Sequence, residues 1–221
     1  MDLKSTSTRV YLCLGCLLAV SLLTLVLPGC SKEEEPTVVV KLPPGLVSLQ
    51  EEIDKGKKQI GLTISSLEGV IAAAGTAATK PKYDEFVKSM ATLDAQAAAI
   101  RAKADEMRAR GAAYFKVWEE QLATVSTPSV KEAAEKRREQ LTKHYEGVTT
   151  ATEAAREAYK PLLSDLQDIQ KMLTTDLTAD SVKALAAPVA KLKEDGKVVG
   201  EKLDQVAQAL NKIGAVFSAQ S

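Results

Sequence analysis

Apolar and small residues recur at alternating four- and three-residue spacing along four stretches of this chain. No other feature constrains the fold as much. A helix carries such a stripe on one face, and a sustained 3.5-residue repeat winds striped faces around one another. The first stripe is Leu49, Ile53, Gly56, Ile60, Thr63, Leu67, Val70 and Ala74. Ser48 and Glu51 form an S-x-x-E box that predicts its helix start, and Gly75 breaks it. The second follows Pro81 and runs Tyr83, Phe86, Met90, Leu93, Ala97, Ile100, Ala104, Met107, Gly111, Tyr114, Trp118, Gln121 and Val125. The third opens at Pro128 and holds Val130, Ala134, Arg137, Leu141, His144, Val148, Ala151, Ala155, Ala158 and Leu162. It then changes phase to Leu166, Ile169 and Leu173. Pro161 sits at that shift, which predicts a kink or a break, because proline removes a donor and crowds the preceding turn. The fourth has Thr178 as expected N-cap and Asp180 in its first turn. Its stripe is Val182, Leu185, Val189, Leu192, Gly196, Val199, Leu203, Val206, Leu210, Ile213 and Phe217, with a bend expected at Pro188.

These stripes predict an all-α fold, an elongated up-down helical bundle or antiparallel coiled coil of about four long helices. Helices two to four would each be on the order of 60 Å long at the standard rise per residue. Short connections make consecutive helices antiparallel neighbours. A compact bundle and a long hairpin with an appended helix both satisfy the pattern. The four stripes could close within one chain, or the first helix, weakened by Gly56, Gly61 and Gly69, could exchange between chains.

The N-terminus reads as a targeting device. Lys4 and Arg9 precede an apolar stretch from Val10 to Leu27, and the segment ends in LPGC at Cys30. It resembles a bacterial lipoprotein signal, with Leu27 three residues before the cysteine and Gly29 just before it. That resemblance implies cleavage after Gly29 and lipidation of Cys30. An uncleaved transmembrane helix is the rival reading of the same apolar stretch. Ser31 follows the cysteine, where aspartate would favour inner-membrane retention, so the expected location is the outer membrane, facing the periplasm. The expected organisation is a signal peptide over 1–29, a disordered tether over 30–47 and a helical domain over 48–221. Glu33, Glu34 and Glu35 solvate the tether, and Pro36, Pro43 and Pro44 deny it helix.

Little in the chain suggests reaction chemistry. Cys13 and Cys16 fall inside the signal and would leave with it. His144 is the only histidine and has no second histidine or free thiol to complete a zinc set. There is no phosphate loop, nucleophile elbow or H-E-x-x-H motif. The 29 basic side chains balance 29 acidic ones, which argues against nucleic-acid binding. No catalytic residue, cofactor or metal is therefore expected. Tyr114 and Trp118 form an aromatic pair one turn apart, with core packing as the default and a surface for a partner or lipid headgroup as the alternative. Arg137 lies on an apolar stripe, where it needs a carboxylate or a way out of the seam, and where it could mark register or a helix-end position. Tyr114, Trp118, Arg137 and His144 are the candidate interaction residues, and Cys30 the candidate lipidation site.

Within residues 83–213 a heptad helix leads to a Trp118–Glu119 pair with Leu122, and then to a basic stretch with Arg137, Arg138 and Tyr145. Pro161, Leu162 and Leu163 follow an Ala/Glu-rich run, and a leucine turn from Leu173 to Leu177 precedes Val182 and Leu185. In this order of features the chain resembles an uncharacterised family of bacterial envelope proteins, domain of unknown function 2959. Family members often carry a Lys-His-Asn-Leu-Asn turn where this chain has TTDLT. The resemblance implies a helical lipoprotein or periplasmic protein and supplies no catalytic residues. The expected function is a membrane-anchored structural or protein-interaction module of the envelope, held through Cys30, with envelope proteins as partners. The alternative is a bundle that binds a lipid or other apolar ligand between its helices. The alanine-rich seams argue against that alternative, since close-packed helices leave little cavity.

Overall fold

The computed structural model describes residues 44–218. The signal segment, Cys30 and most of the expected tether lie outside the described residues. Within them the chain forms α1 (Pro44–Ala72), α2 (Thr79–Ala123), α3 (Pro128–Thr175), the short α4 (Ala179–Lys183) and α5 (Ala186–Ser218). No strand occurs among the described residues. The protein is an all-α bundle built on four long helices.

The helix ends follow local chemistry, though not always the expected chemistry. Helix α1 starts at Pro44, ahead of the Ser48–Glu51 box. Ser48 is therefore inside the helix, and its hydroxyl donates to the Gly45 carbonyl at 3.1 Å instead of capping. The α1–α2 turn needs a left-handed residue, and Gly75 supplies it at φ 77°. Thr79 ties this turn together by donating to the carbonyls of Ala73 and Thr76. Pro128 opens α3 at a position where its missing N–H costs nothing.

The two prolines within the helical stripes behave differently. Helix α3 continues through Pro161 without a break. At Pro188 the expected bend is instead a break into α4 and α5. Pro188 cannot donate to Ala184, and its ring crowds that carbonyl, so the chain turns at Ala184–Leu185 and restarts with Val189 donating to Leu185 at 2.9 Å. Thr178 does precede α4, and Asp180 occupies the first turn, but the Thr178 side chain makes no cap. Asp176 does the work. Its carboxylate accepts from the Thr178 backbone N–H at 2.9 Å and from the Ser181 hydroxyl. The Ser181 bond, then the Thr178 bonds, hold its pKa below the usual carboxylate value.

Helix α1 packs against α2 and α5, and α3 packs against α5 and α2. The four long helices thus circle one core in the order α1, α2, α3, α5. Cross-helix pairs fix the alternating direction. Gln59 bonds Ser89 and Gln96 bonds Glu52 between α1 and α2. Tyr83 bonds Thr174 and Arg108 reaches Glu153 between α2 and α3. Lys191 pairs with Asp165 between α5 and α3, and Lys193 with Glu68 between α5 and α1. The stripe of α1 is thus satisfied by helices of the same chain.

The core is the expected stripe with informative departures. Leu49, Ile53, Leu67, Phe86, Leu93, Leu162, Leu166, Leu192, Leu210 and Ile213 are fully buried. Each contributes roughly 1.5–3 kcal/mol through removal from water. Ile64 joins them, because α1 lies between two neighbours and needs a face wider than a coiled-coil seam. Thr63 is buried beside it, its hydroxyl 2.9 Å from that of Ser89, which satisfies the polar member of the stripe.

The helices end at different levels. A β-carbon at Gly45, in the first turn of α1, would lie 3.2 Å from the Arg110 guanidinium, so α1 covers α2 only up to about that residue. Arg137 donates to the Val216 carbonyl at 2.8 Å, so α5 covers α3 only as far as Arg137. The far end of the α2–α3 hairpin, about 20 Å long by helical rise, runs beyond both. Here the stripe departs from expectation. Leu122 is buried in place of Gln121, and Val130 is 53% exposed. Two helices alone bury a narrower face than four do.

Candidate functional site

The hairpin end collects three of the four residues nominated from sequence. Tyr114 and Trp118 meet edge to face, with ring centroids 5.6 Å apart. Phe217, from the last turn of α5, packs on Tyr114 at 6.2 Å. Arg137 binds the carbonyl of the preceding residue, Val216. Its guanidinium thus leaves the α3 stripe for the C-terminal end of α5, where the orphan carbonyls and the helix dipole favour a cation. Of the alternatives open to an arginine on a seam, the structure shows a way out of the seam onto the end of a neighbouring helix. His144 is half-buried on the same helix, one residue from Tyr145. The Tyr145 ring meets Phe115 at 5.3 Å and lies against Gly111. The aromatic group is therefore neither core nor free surface. It clamps the end of α5, while leaving Tyr114 40% exposed and Val117 50% exposed.

A second feature lies in the bundle interior and was not foreseen. A cavity of about 150 Å³ is bounded by α1, α2, α3 and α5. Its inner wall is apolar, with Ile53, Ile60, Leu93, Leu203 and Val206 among its members. Small residues create the space. Gly56 faces Ile100, and Ala97, Ala104 and Ala155 line the gap between α2 and α3. The alanine seam was expected to close the helices onto one another. Between α2 and α3 it leaves room instead, because alanine side chains are too small to fill the space they line.

The mouth of this cavity is charged. Arg101, Asp105 and Arg108 come from α2, and Glu153, Arg156 and Tyr159 from α3. Arg108 pairs with Asp105 at 3.0 Å and Glu153 at 3.5 Å, and Arg156 pairs with Glu153 at 3.7 Å. The Tyr159 hydroxyl is buried and meets no donor or acceptor of the protein. Burial, then the nearby negative charge of Asp94, pushes its pKa up to about 12, against a smaller opposing effect of Arg101. Beyond Arg108 a shallower groove of about 340 Å³ continues between Gly111, Phe115, Tyr145 and Thr149. Neither Tyr159 nor Arg101 was nominated from sequence. The sequence offered no local signal for either, beyond the alanines of the two neighbouring stripes.

No cluster of three or more metal-ligating side chains occurs among the described residues, and no described helix is long and apolar enough to cross a membrane. Residues 46–216 match the family model described as Protein of unknown function (DUF2959), so the chain belongs to that family. No curated protein and no solved structure matches it.

Proposed function

We propose that this member of the DUF2959 family is a lipid-anchored envelope protein that acts by contact and without catalysis. Cys30, freed by cleavage after Gly29, would carry a diacylglyceryl group on its sulfur and an acyl group on its amine, and would hold the protein on the outer membrane. The reading is supported by the sequence from Lys4 to Cys30, in which a charged start and an apolar run lead into LPGC. Several acyl chains at one residue hold a protein on a bilayer, since each buried CH₂ contributes about 0.8 kcal/mol. The observation that carries the contact half is the α2–α3 hairpin, which outruns α1 and α5 and exposes Tyr114, Val117 and Val130. Apolar and aromatic side chains that a chain leaves uncovered at the end of a projecting element suit a protein partner.

Two measurements test the reading. Cells fed an alkyne-bearing fatty acid should label the wild-type protein and not the Cys30→Ala variant. Equal labelling of both removes the anchor. In-cell crosslinking of the full-length protein, followed by mass spectrometry, should capture a discrete set of envelope proteins. Tyr114→Ser with Val117→Ser should reduce that capture several-fold. Capture unchanged by this pair of substitutions would refute the hairpin as the contact surface.

A further inference from the structure

The Tyr159 hydroxyl is a buried donor with no protein partner, placed at the edge of an apolar cavity. Burying a hydroxyl without a partner costs on the order of 1–3 kcal/mol. The same mouth holds a solvent-exposed arginine that no carboxylate engages. Arg108 and Arg156 share Asp105 and Glu153, whereas Arg101 makes no ion pair or hydrogen bond among the described residues. An apolar interior, an idle donor and an exposed cation without an ion pair together suit one kind of ligand. It has an apolar body and an anionic acceptor at one end.

Size narrows the class. A cavity of about 150 Å³ is the size that admits a six-carbon ring in an engineered protein interior. It cannot hold a two-chain lipid or the whole of a long acyl chain. Arg108 lines both this cavity and the shallower groove beyond it, and so stands between them. We propose that the cavity binds the tail of a medium-chain carboxylate of about eight carbons, with the carboxylate accepting from the Tyr159 hydroxyl and facing Arg101. Asp94 opposes the anion, and because Arg108 and Arg156 are already matched by Asp105 and Glu153, Arg101 alone faces it. Alanine at 97, 104 and 155 is the requirement of the tail, because a larger side chain at any of them enters the space the tail occupies.

Photolabelling tests this on the full-length protein in its membrane. The probe is octanoate carrying a diazirine near its chain end, and labelled peptides are mapped by mass spectrometry. Labels should fall within 93–108 and 152–159, and excess unlabelled octanoate should suppress them at least ten-fold. Ala155→Leu should reduce labelling at least ten-fold by filling the cavity. Tyr159→Phe, which removes only an unpartnered hydroxyl, should leave thermal stability unchanged or slightly raised and still reduce labelling several-fold. Arg101→Gln should act in the same direction. A diazirine probe built on octanol should label these peptides several-fold less than the octanoate probe. Labelling spread over the chain, or indifferent to Ala155→Leu and Tyr159→Phe, would overturn the site. Equal labelling by the octanol probe would overturn the role given to Arg101.

Discussion

Replacing Gly111 with alanine sets two effects of known size against each other. Gly111 is buried in the middle of α2, where alanine is intrinsically favoured by roughly 0.8–1 kcal/mol. A β-carbon there would lie 2.7 Å from Cε1 and 2.8 Å from Cδ1 of Tyr145. Both distances are well inside van der Waals contact, so the ring must move by several tenths of an ångström. It is not free to do so cheaply, because it also meets Phe115 edge to face at 5.3 Å. Overpacking of this kind costs about 1–3 kcal/mol, and loss of an aromatic pair roughly 0.5–1.5 kcal/mol. The net expectation is destabilisation by about 1–2 kcal/mol. Gly61, in α1, is the matched control, since nothing stands within 4 Å of its added β-carbon. Gly61→Ala should stabilise by about 1 kcal/mol. The two variants should therefore melt roughly 5–10 °C apart, at about 2–4 °C per kcal/mol for a chain of this size. Thermal unfolding followed by far-ultraviolet circular dichroism reads this directly. If Gly111→Ala melts at or above Gly61→Ala, the close packing of Tyr145 on α2 is wrong.

Three further outcomes follow from single features. Arg137→Ala removes the donor that ends α5 on Val216, so amide exchange over residues 213–217 should accelerate, with a global loss of about 1–2 kcal/mol in urea unfolding. Unchanged exchange there would count against the clamp. Pro161→Ala returns an N–H to a helix that is already continuous, and should stabilise by about 1–3 kcal/mol; a lower urea midpoint would mean the proline is needed for the packing of α3. Tyr159 holds its proton more tightly folded than unfolded, being pushed up to about 12 from the ordinary tyrosine value. Its contribution is therefore present below the unfolded value of about 10 and lost as pH rises toward the folded one. Wild type should lose stability over this window faster than Tyr159→Phe, as followed by urea midpoints against pH, and identical profiles would contradict the buried phenol.

The hairpin and the cavity differ in how readable they were. Tyr114, Trp118 and Arg137 stand out in the sequence because an aromatic pair and a charged residue on an apolar stripe are local anomalies. Their assembly around the end of α5 is not local. It depends on Phe217 and Val216, about eighty residues from Arg137 and about a hundred from Tyr114 along the chain, reaching the same level of the bundle. Tyr159 carries no anomaly at all in the sequence. Its hydroxyl becomes notable only when α2 and α3 leave it buried without a partner.

The heptad stripes alone determined that the chain is helical, where most helices run and which residues they bury, because a helix has one way to remove a 3.5-residue stripe from water. Turn chemistry at Gly75, and proline at Pro128, marked two boundaries for equally local reasons. The tertiary structure decided what depends on neighbours. Pro161 lies far from either end of α3, with Leu162 and Leu166 beside it fully buried in the core, and the helix survives it. Pro188 stands two residues into α5, behind only the short α4, and the helix breaks. Alanine at 97, 104 and 155 allowed either close approach or a gap, and the packing of the four helices left a gap. Side-chain size fixes how near two helices can come only where that side chain is the point of contact.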